Sequence, residues 1–346
     1  MLAAESRAAT VPATPIPESP YAWKQIVEPV EPFLEAVTDR LALQVREFDD
    51  GLADYAEYAL NGQGKQLRPA LVGLSALASG QITEAHVTVA VVIEMVHLAT
   101  LVHDDVMDEA ELRRGQLTLA AQWGNEAAVL FGDCLFARAL TLAAGFPTPE
   151  ICRAVAQSTQ TVCSGEILQN QQRGNFQLSR PDYFRILEMK TAELFALSCD
   201  LGAFLNGATA GRRAAFRRFG LALGTAYQVY DDCLDLFGSE LAAGKSLGSD
   251  LAKGKLTLPV LLFLERAAAP ERSRLEGLVR EWHPRCIGEA VELLNRHDAL
   301  AESLEVFHQQ TEKARDALGS LHSARGGLLG LTAYLSRQAD VLGGCV

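Results

Sequence analysis

The sequence has no CxxC pair, no long uninterrupted apolar run, little strand-like alternation and no surplus of positive charge. Each absence removes a class of function. Cys134, Cys152, Cys163, Cys199, Cys233, Cys286 and Cys345 are scattered without ligand spacing. Structural zinc sites and thioredoxin-like redox motifs need such spacing. Most of these cysteines sit in apolar surroundings, which reads as small, reduced core residues of a cytoplasmic protein. The longest apolar stretch, Val87 to Val102, is interrupted by Glu94 and His97. It is too short and too broken to be expected to span a bilayer. The net charge of −12 opposes binding to nucleic acid or to an anionic membrane surface. It leaves room for a local basic pocket. Residues 1–22 are rich in Ala, Pro, Ser and Thr, without the basic start and apolar centre of a secretory signal, and read as a flexible tail. No repeat of solenoid period is visible.

What is present is helical. Hydrophobic residues make up 49% of the chain, enough for a large core, and they recur at three-to-four spacing nearly throughout. Thr148-Pro149-Glu150 and Ser179-Arg180-Pro181-Asp182 carry helix-start chemistry, and Asp298 is expected to cap a helix running to Leu318. Gly and Pro clusters near 61–65, 145–149, 173–181, 206–211, 238–248 and 283–288 mark the connections. The segments 85–101 and 219–236 are apolar on more than one face and belong at the centre. With no linker in sight, the fold class is all-α: one domain over 23–346, ten or more helices around an apolar cavity.

Against that background two stretches stand out. LVHDDVMDEAELRRG spans Leu101 to Gly115, and QVYDDCLD spans 228–235. On a helix, residues i and i+4 share a face, so Asp104 pairs with Asp108 and Asp231 with Asp235. Paired carboxylates repel unless water or a cation separates them. A single such cluster could be a solvated helix end, but two on strongly apolar helices point to a shared cation. Hard carboxylate oxygens suit Mg²⁺, which usually binds together with substrate phosphates. Basic residues accompany the clusters: Lys65 and Arg68 in GKQLRP, Arg113 and Arg114, Lys190 in EMKTAELF, and Lys245 and Lys255 in GKSLGSDLAKGKLTLP. Cations beside acidic clusters in an acidic protein suggest a substrate that carries negative charge and metal, of which a diphosphate is the simplest.

The ordered set GKQLRP, EMVHLATLVHDDVMDEAELRRG, GDCLFARA, GEILQ, KTAELF, GTAYQVYDDCLDLFG and GSDLAKGKLTLP resembles the trans-isoprenyl diphosphate synthase (polyprenyl synthetase) family. The resemblance implies a Mg²⁺-dependent prenyltransferase that joins an allylic diphosphate to isopentenyl diphosphate, with three Mg²⁺ ions around the bound allylic diphosphate. By similarity, Asp104, Asp108 and Asp231 hold the metal cluster, and Asp105, Asp232 and Asp235 support it. Arg113, Lys190, Lys245 and Lys255 serve the allylic diphosphate. Lys65, Arg68, His97 and Arg114 serve isopentenyl diphosphate. Thr191 and Gln228 turn oxygen dipoles toward the developing cation. Gln63 and Gln66 depart from the family's usual GGKRxRP, where a Gly and an Arg are common. A homodimer is implied, with the helix over 126–144 as a candidate interface.

The resemblance also bears on product length. Bulky aromatics five and four residues before the first Asp make a floor in short-chain members; here those positions are Ala99 and Thr100, followed upstream by Val96, Ile93 and Val89. A helix rises about 1.5 Å per residue, so each added isoprene unit passes roughly three residues, and a product of about C30 or longer is expected. Phe131 or Phe136 could supply a floor from another helix and restore a geranylgeranyl-length product. A class I terpene cyclase would show an Asn/Ser/Glu triad where this chain has DDCLD, and a non-catalytic partner subunit would normally lose one acidic motif.

Overall fold

The computed structural model describes residues 20–61, 64–113, 115–240, 246–319 and 325–344. Gln63, Arg114, Lys245 and Cys345 lie outside them, as do residues 1–19 of the expected tail. The helices are α1 (Pro20–Val27), α2 (Glu31–Arg46), α3 (Ala53–Asn61), α4 (Leu67–Ser79), α5 (Glu84–Met107), α6 (Leu119–Trp123), α7 (Asn125–Ala144), α8 (Pro149–Gln171) and α9 (Arg180–Leu187). They continue as α10 (Glu193–Phe204), α11 (Ala210–Phe237), α12 (Ser249–Ala252), α13 (Leu258–Arg266), α14 (Ala269–Arg280), α15 (Ile287–Asn295), α16 (Ala299–Ala317) and α17 (Gly326–Gly343). The only strands among the described residues are the antiparallel pair Leu112–Arg113 and Gln116–Leu117. The fold is all-α, as expected. Helix α1 begins inside the last residues assigned to the tail.

Local chemistry explains most helix starts. The Thr148 Oγ1 accepts the Glu150 backbone N–H at 3.3 Å, and the Ser179 Oγ accepts that of Asp182 at 3.2 Å. Asp298 behaves differently. It stands at the N-cap of α16 with φ of 55° and no side-chain cap bond, so it contributes left-handed backbone instead of a carboxylate cap. Helix α5 opens with a capping box in which His86 replaces the usual Glu or Gln: the Thr83 N–H donates to His86 Nδ1 at 3.0 Å.

The two helices expected at the centre are central. Helix α11 packs against α10 and α16, α10 against α4, and α5 against α7. Ile93, Met95, Phe195, Phe216 and Phe219 are fully buried at these contacts. By length and composition α5 and α7 could each cross a membrane, more than the sequence suggested. In α5, 72% of the apolar window is buried, so core packing accounts for it; in α7 only 33% is, and Val129 and Leu130 are exposed. Of the described cysteines, Cys199 and Cys233 are fully buried, whereas Cys163 is exposed, contrary to a core role.

Between α9 and α10 the chain makes one π-helical turn, Glu188–Ala192. The wider turn rotates the following residues relative to a continuous α-helix, a device often found at functional sites. Its neighbours must come close. A Cβ on Gly165 of α8 would meet the Lys190 backbone nitrogen at 2.7 Å, and one on Gly224 of α11 would meet Ala192 Cα at 2.6 Å. The two glycines therefore let α8 and α11 grip the turn that carries Lys190 and Thr191.

Candidate active site

A cavity of about 1710 Å³ is bounded by α5, α8, the π turn, α11 and α17. The sequence-selected residues Lys65, Arg68, His97, Thr100, Asp104, Asp105, Asp108, Arg113, Lys190, Thr191, Gln228, Asp231, Asp232 and Lys255 all line it. The 3.6-residue period explains the α5 contribution: His97, Thr100, Asp104 and Asp108 lie on one face. Ala99 is turned away, fully buried and absent from the lining. Asp235 is also absent from the lining; it is fully buried and accepts from the Ser249 hydroxyl at 2.7 Å and the Asp250 N–H at 3.1 Å. It thus braces the segment that leads to Lys255.

Asp104, Asp105, Asp108 and Asp232 are held by cations or by donors. Asp105 accepts a two-pronged bond from Arg113, at 2.8 and 2.9 Å. Asp108 meets Arg173 at 2.6 Å, Lys255 at 2.8 Å and Lys253 at 3.0 Å. Asp104 is 3.7 Å from the Lys190 ammonium, which is also 2.5 Å from Glu166 and donates to Gln169 at 2.8 Å. On α11, Asp232 accepts from the Tyr183 hydroxyl at 2.5 Å and from Gln228 Nε2 at 2.8 Å. The Thr191 hydroxyl in turn donates to Gln228 Oε1 at 2.9 Å.

These surroundings set the charges. Burial raises the Asp104 carboxyl to about 6 despite the Lys190 ammonium. Burial pushes Asp108 the same way, but the ammonium groups of Lys255 and Lys253 outweigh it and hold the carboxyl at about 2. Burial also depresses Lys190, yet Asp104 and Glu166 more than compensate, and its pKa is raised. At neutral pH the wall therefore presents ionised carboxylates and ionised ammonium groups together.

Among the described residues no three Asp, Glu, His or Cys side chains are already gathered tightly enough to hold a metal. The donor set nevertheless fits a hard divalent cation. Asp104, Asp108 and Asp231 offer carboxylate oxygens to one cavity, and the desolvated Asp104 gains from a counter-charge.

Several participants escaped the sequence reading. Glu166 and Gln169 sit in GEILQ, where a buried acid on an apolar helix was the available signal. Lys253 was passed over although it lies within GSDLAKGKLTLP. Tyr183 and Arg173 had no local signal. Neither did Tyr334, whose hydroxyl accepts from Lys65 Nζ at 2.8 Å. Gln66, one of the two departures from the family pattern, has φ of 48° and donates to the Thr38 hydroxyl at 2.8 Å.

Comparison with known proteins fits this geometry. The profile of the Polyprenyl synthetase family matches residues 49–297. The chain belongs to that family. It is a trans-polyprenyl diphosphate synthase, a prenyltransferase. Octaprenyl diphosphate synthase of Haemophilus influenzae is 31% identical over 90% of this chain and 95% of its own length. Heptaprenyl diphosphate synthase component 2 of Bacillus subtilis is 34% identical over 88% of each. A crystal structure of polyprenyl synthase from Caulobacter crescentus, complexed with calcium and isoprenyl diphosphate, superposes with a TM-score of 0.86 at 32% identity, covering 91% of this chain and 98% of that one.

Proposed function

We propose that this prenyltransferase condenses an allylic diphosphate with isopentenyl diphosphate, head to tail, in a Mg²⁺-dependent reaction, and releases a long trans product of about C30 or more. The observation that carries the reading is the single cavity in which Asp104 on α5, Asp108 at its C-cap, Asp231 on α11, and Lys190 and Lys255 meet. When bound, Mg²⁺ neutralises diphosphate charge and so eases cleavage of the allylic C–O bond. Asp104, Asp108 and Asp231 would hold it. Lys190, Lys255 and Arg113 act on the allylic diphosphate as fixed charges that need no reorganisation. Thr191 and Gln228 face the developing cation, their orientation fixed by the bond to Asp232. Lys65, Arg68 and His97 receive isopentenyl diphosphate at the other side of the cavity. Its double bond attacks the allylic carbon, a C–C bond forms, and a proton leaves with the released diphosphate. Leu98, Val102, Leu187 and Leu194 supply apolar wall that keeps water from the cation. The small Thr100 on the lining and the names of the octaprenyl and heptaprenyl relatives support a long product. The reading includes a cytoplasmic homodimer joined through the exposed side of α7.

The test is incubation of the purified protein with Mg²⁺, isopentenyl diphosphate and an allylic primer, with products resolved by chromatography. Asp104→Ala and Asp231→Ala should each lower turnover by about 10²-fold or more, the usual size of a lost charge-stabilising group. Helicity should be unchanged. Near-normal turnover in both variants refutes the metal assignment, and cyclic hydrocarbon from the primer alone refutes the condensation.

A further inference from the structure

Asp108 draws more positive charge than it can neutralise. Arg173 contacts Oδ1 at 2.6 Å, while Lys255 and Lys253 both contact Oδ2, at 2.8 and 3.0 Å. Two ammonium groups tolerate one another at a single oxygen only because the carboxylate lies between them. Lys253 and Lys255 line the cavity, and Arg173 does not. The three cations are not independent surface side chains. The Gly174 N–H donates to the Gly254 carbonyl at 2.8 Å, and the Lys255 N–H to that of Asp250 at 2.8 Å. Gly254 has φ of 69°, and a Cβ there would sit 3.1 Å from the Gly174 nitrogen. The loop carrying Arg173 and the turn carrying both lysines are thus zipped together over the end of α5.

We propose that Lys253 is a second diphosphate-binding lysine beside Lys255, and that Arg173 is a positioning residue that holds Asp108 with Oδ2 toward the lysine pair. The proposal rests on the metal and diphosphate reading given above. The Asp108 carboxylate is the counter-charge that both ammonium groups share. Once that carboxylate serves a metal, the two ammonium groups need another counter-charge, and phosphate oxygens in the same cavity supply it.

The experiment uses the full chain with Lys253→Gln, Arg173→Gln and Arg173→Lys. Mn²⁺ binding to substrate-free protein is followed by electron paramagnetic resonance. Binding of inorganic pyrophosphate in the presence of Mg²⁺ is followed by calorimetry, and KM is measured for each substrate separately. Lys253→Gln should bind Mn²⁺ several-fold more tightly, because a competitor for Asp108 is gone. It should bind pyrophosphate about tenfold more weakly, the loss of one charge-assisted hydrogen bond. Its allylic KM should rise in parallel while the isopentenyl diphosphate KM stays constant. Arg173→Gln should lower kcat with little change in either KM, and Arg173→Lys should restore most of it. Unchanged pyrophosphate affinity in Lys253→Gln, or equal shifts in both KM values, overturns the role of Lys253. Unchanged kcat in Arg173→Gln overturns that of Arg173. Failure of the underlying reading is seen elsewhere, as retained Mn²⁺ binding and turnover in Asp104→Ala and Asp231→Ala.

Discussion

Tyr183 shows how a residue with no sequence signal can govern one that has a strong signal. Asp232 is 3% exposed; burial pushes its carboxyl well up, and the nearby Asp250 pushes it further. Burial, then the Asp232 charge, raises the Tyr183 phenol as well. The short Tyr183–Asp232 bond anchors the line of hydrogen bonds that ends at Thr191. Tyr183→Phe keeps the buried ring but removes the donor. Losing a bond to a buried carboxylate costs about 1.5–3 kcal/mol of stability, and with Gln228 and Thr191 no longer fixed kcat should fall. KM for either substrate should stay near its wild-type value. A variant that melts lower but turns over normally would make the bond purely structural. The i, i+4 rule was sufficient to pair Asp104 with Asp108, because both lie on the cavity-facing side of one helix. It could not separate the roles of Asp231, Asp232 and Asp235: Asp231 lines the cavity, Asp232 meets Tyr183 of α9, and Asp235 meets Ser249 of α12. Ala99 fails for a related reason. Counting residues back from Asp104 ignores which way each side chain points, and only Thr100 shares the Asp104 face.

At the scale of elements, caps were legible where a side chain acts on the residues just after it, as Thr148 and Ser179 do. Asp298 was legible as the N-cap of α16 but not in its left-handed backbone, which replaces the side-chain bond. The π turn was equally hidden, being stabilised by glycines on two other helices. The start of α5 makes a pH-dependent prediction. His86 Nδ1 faces the Thr83 N–H and its Nε2 lies 3.1 Å from the Gly202 carbonyl, an arrangement that requires the neutral ring with its hydrogen on Nε2. Burial lowers its pKa below the ordinary value of 6.5, against smaller opposing effects of its backbone hydrogen bonds to Gly202 and Thr83. The unfolded chain therefore binds this proton more readily than the folded one. Stability from His86 is fully present above pH about 6.5 and is lost as the pH falls below it. Thermal unfolding across pH 5–8 should show this loss, and His86→Gln should flatten that part of the profile. An identical slope in wild type and variant removes His86 as its source.

For the molecule as a whole, the apolar periodicity announced the class of fold, and the spacing of charges pointed to a metal and a diphosphate, while the class of reaction came from the family resemblance. What remained out of reach was the assembly of the cavity from distant segments. Product length depends on that assembly. Thr100→Phe should place a ring in the cavity and shorten the product, with little loss of stability. Ala99→Phe instead forces a ring into a filled core and should destabilise by about 1–3 kcal/mol. Chromatography of products and thermal melting of both variants separate the two effects. A shorter product from Ala99→Phe at unchanged melting temperature would return that residue to the tunnel. Finally, Lys65 and Tyr334 are 269 positions apart, and the Tyr334 ring also packs on Trp23 at 5.7 Å between centroids. Helix α17 thus closes the pocket that GKQLRP opens. A chain emerging from the ribosome has both acidic motifs and nearly all of its cations long before it has that wall. A nascent chain stopped short of α17 should therefore carry the site's charges but lack this part of its enclosure.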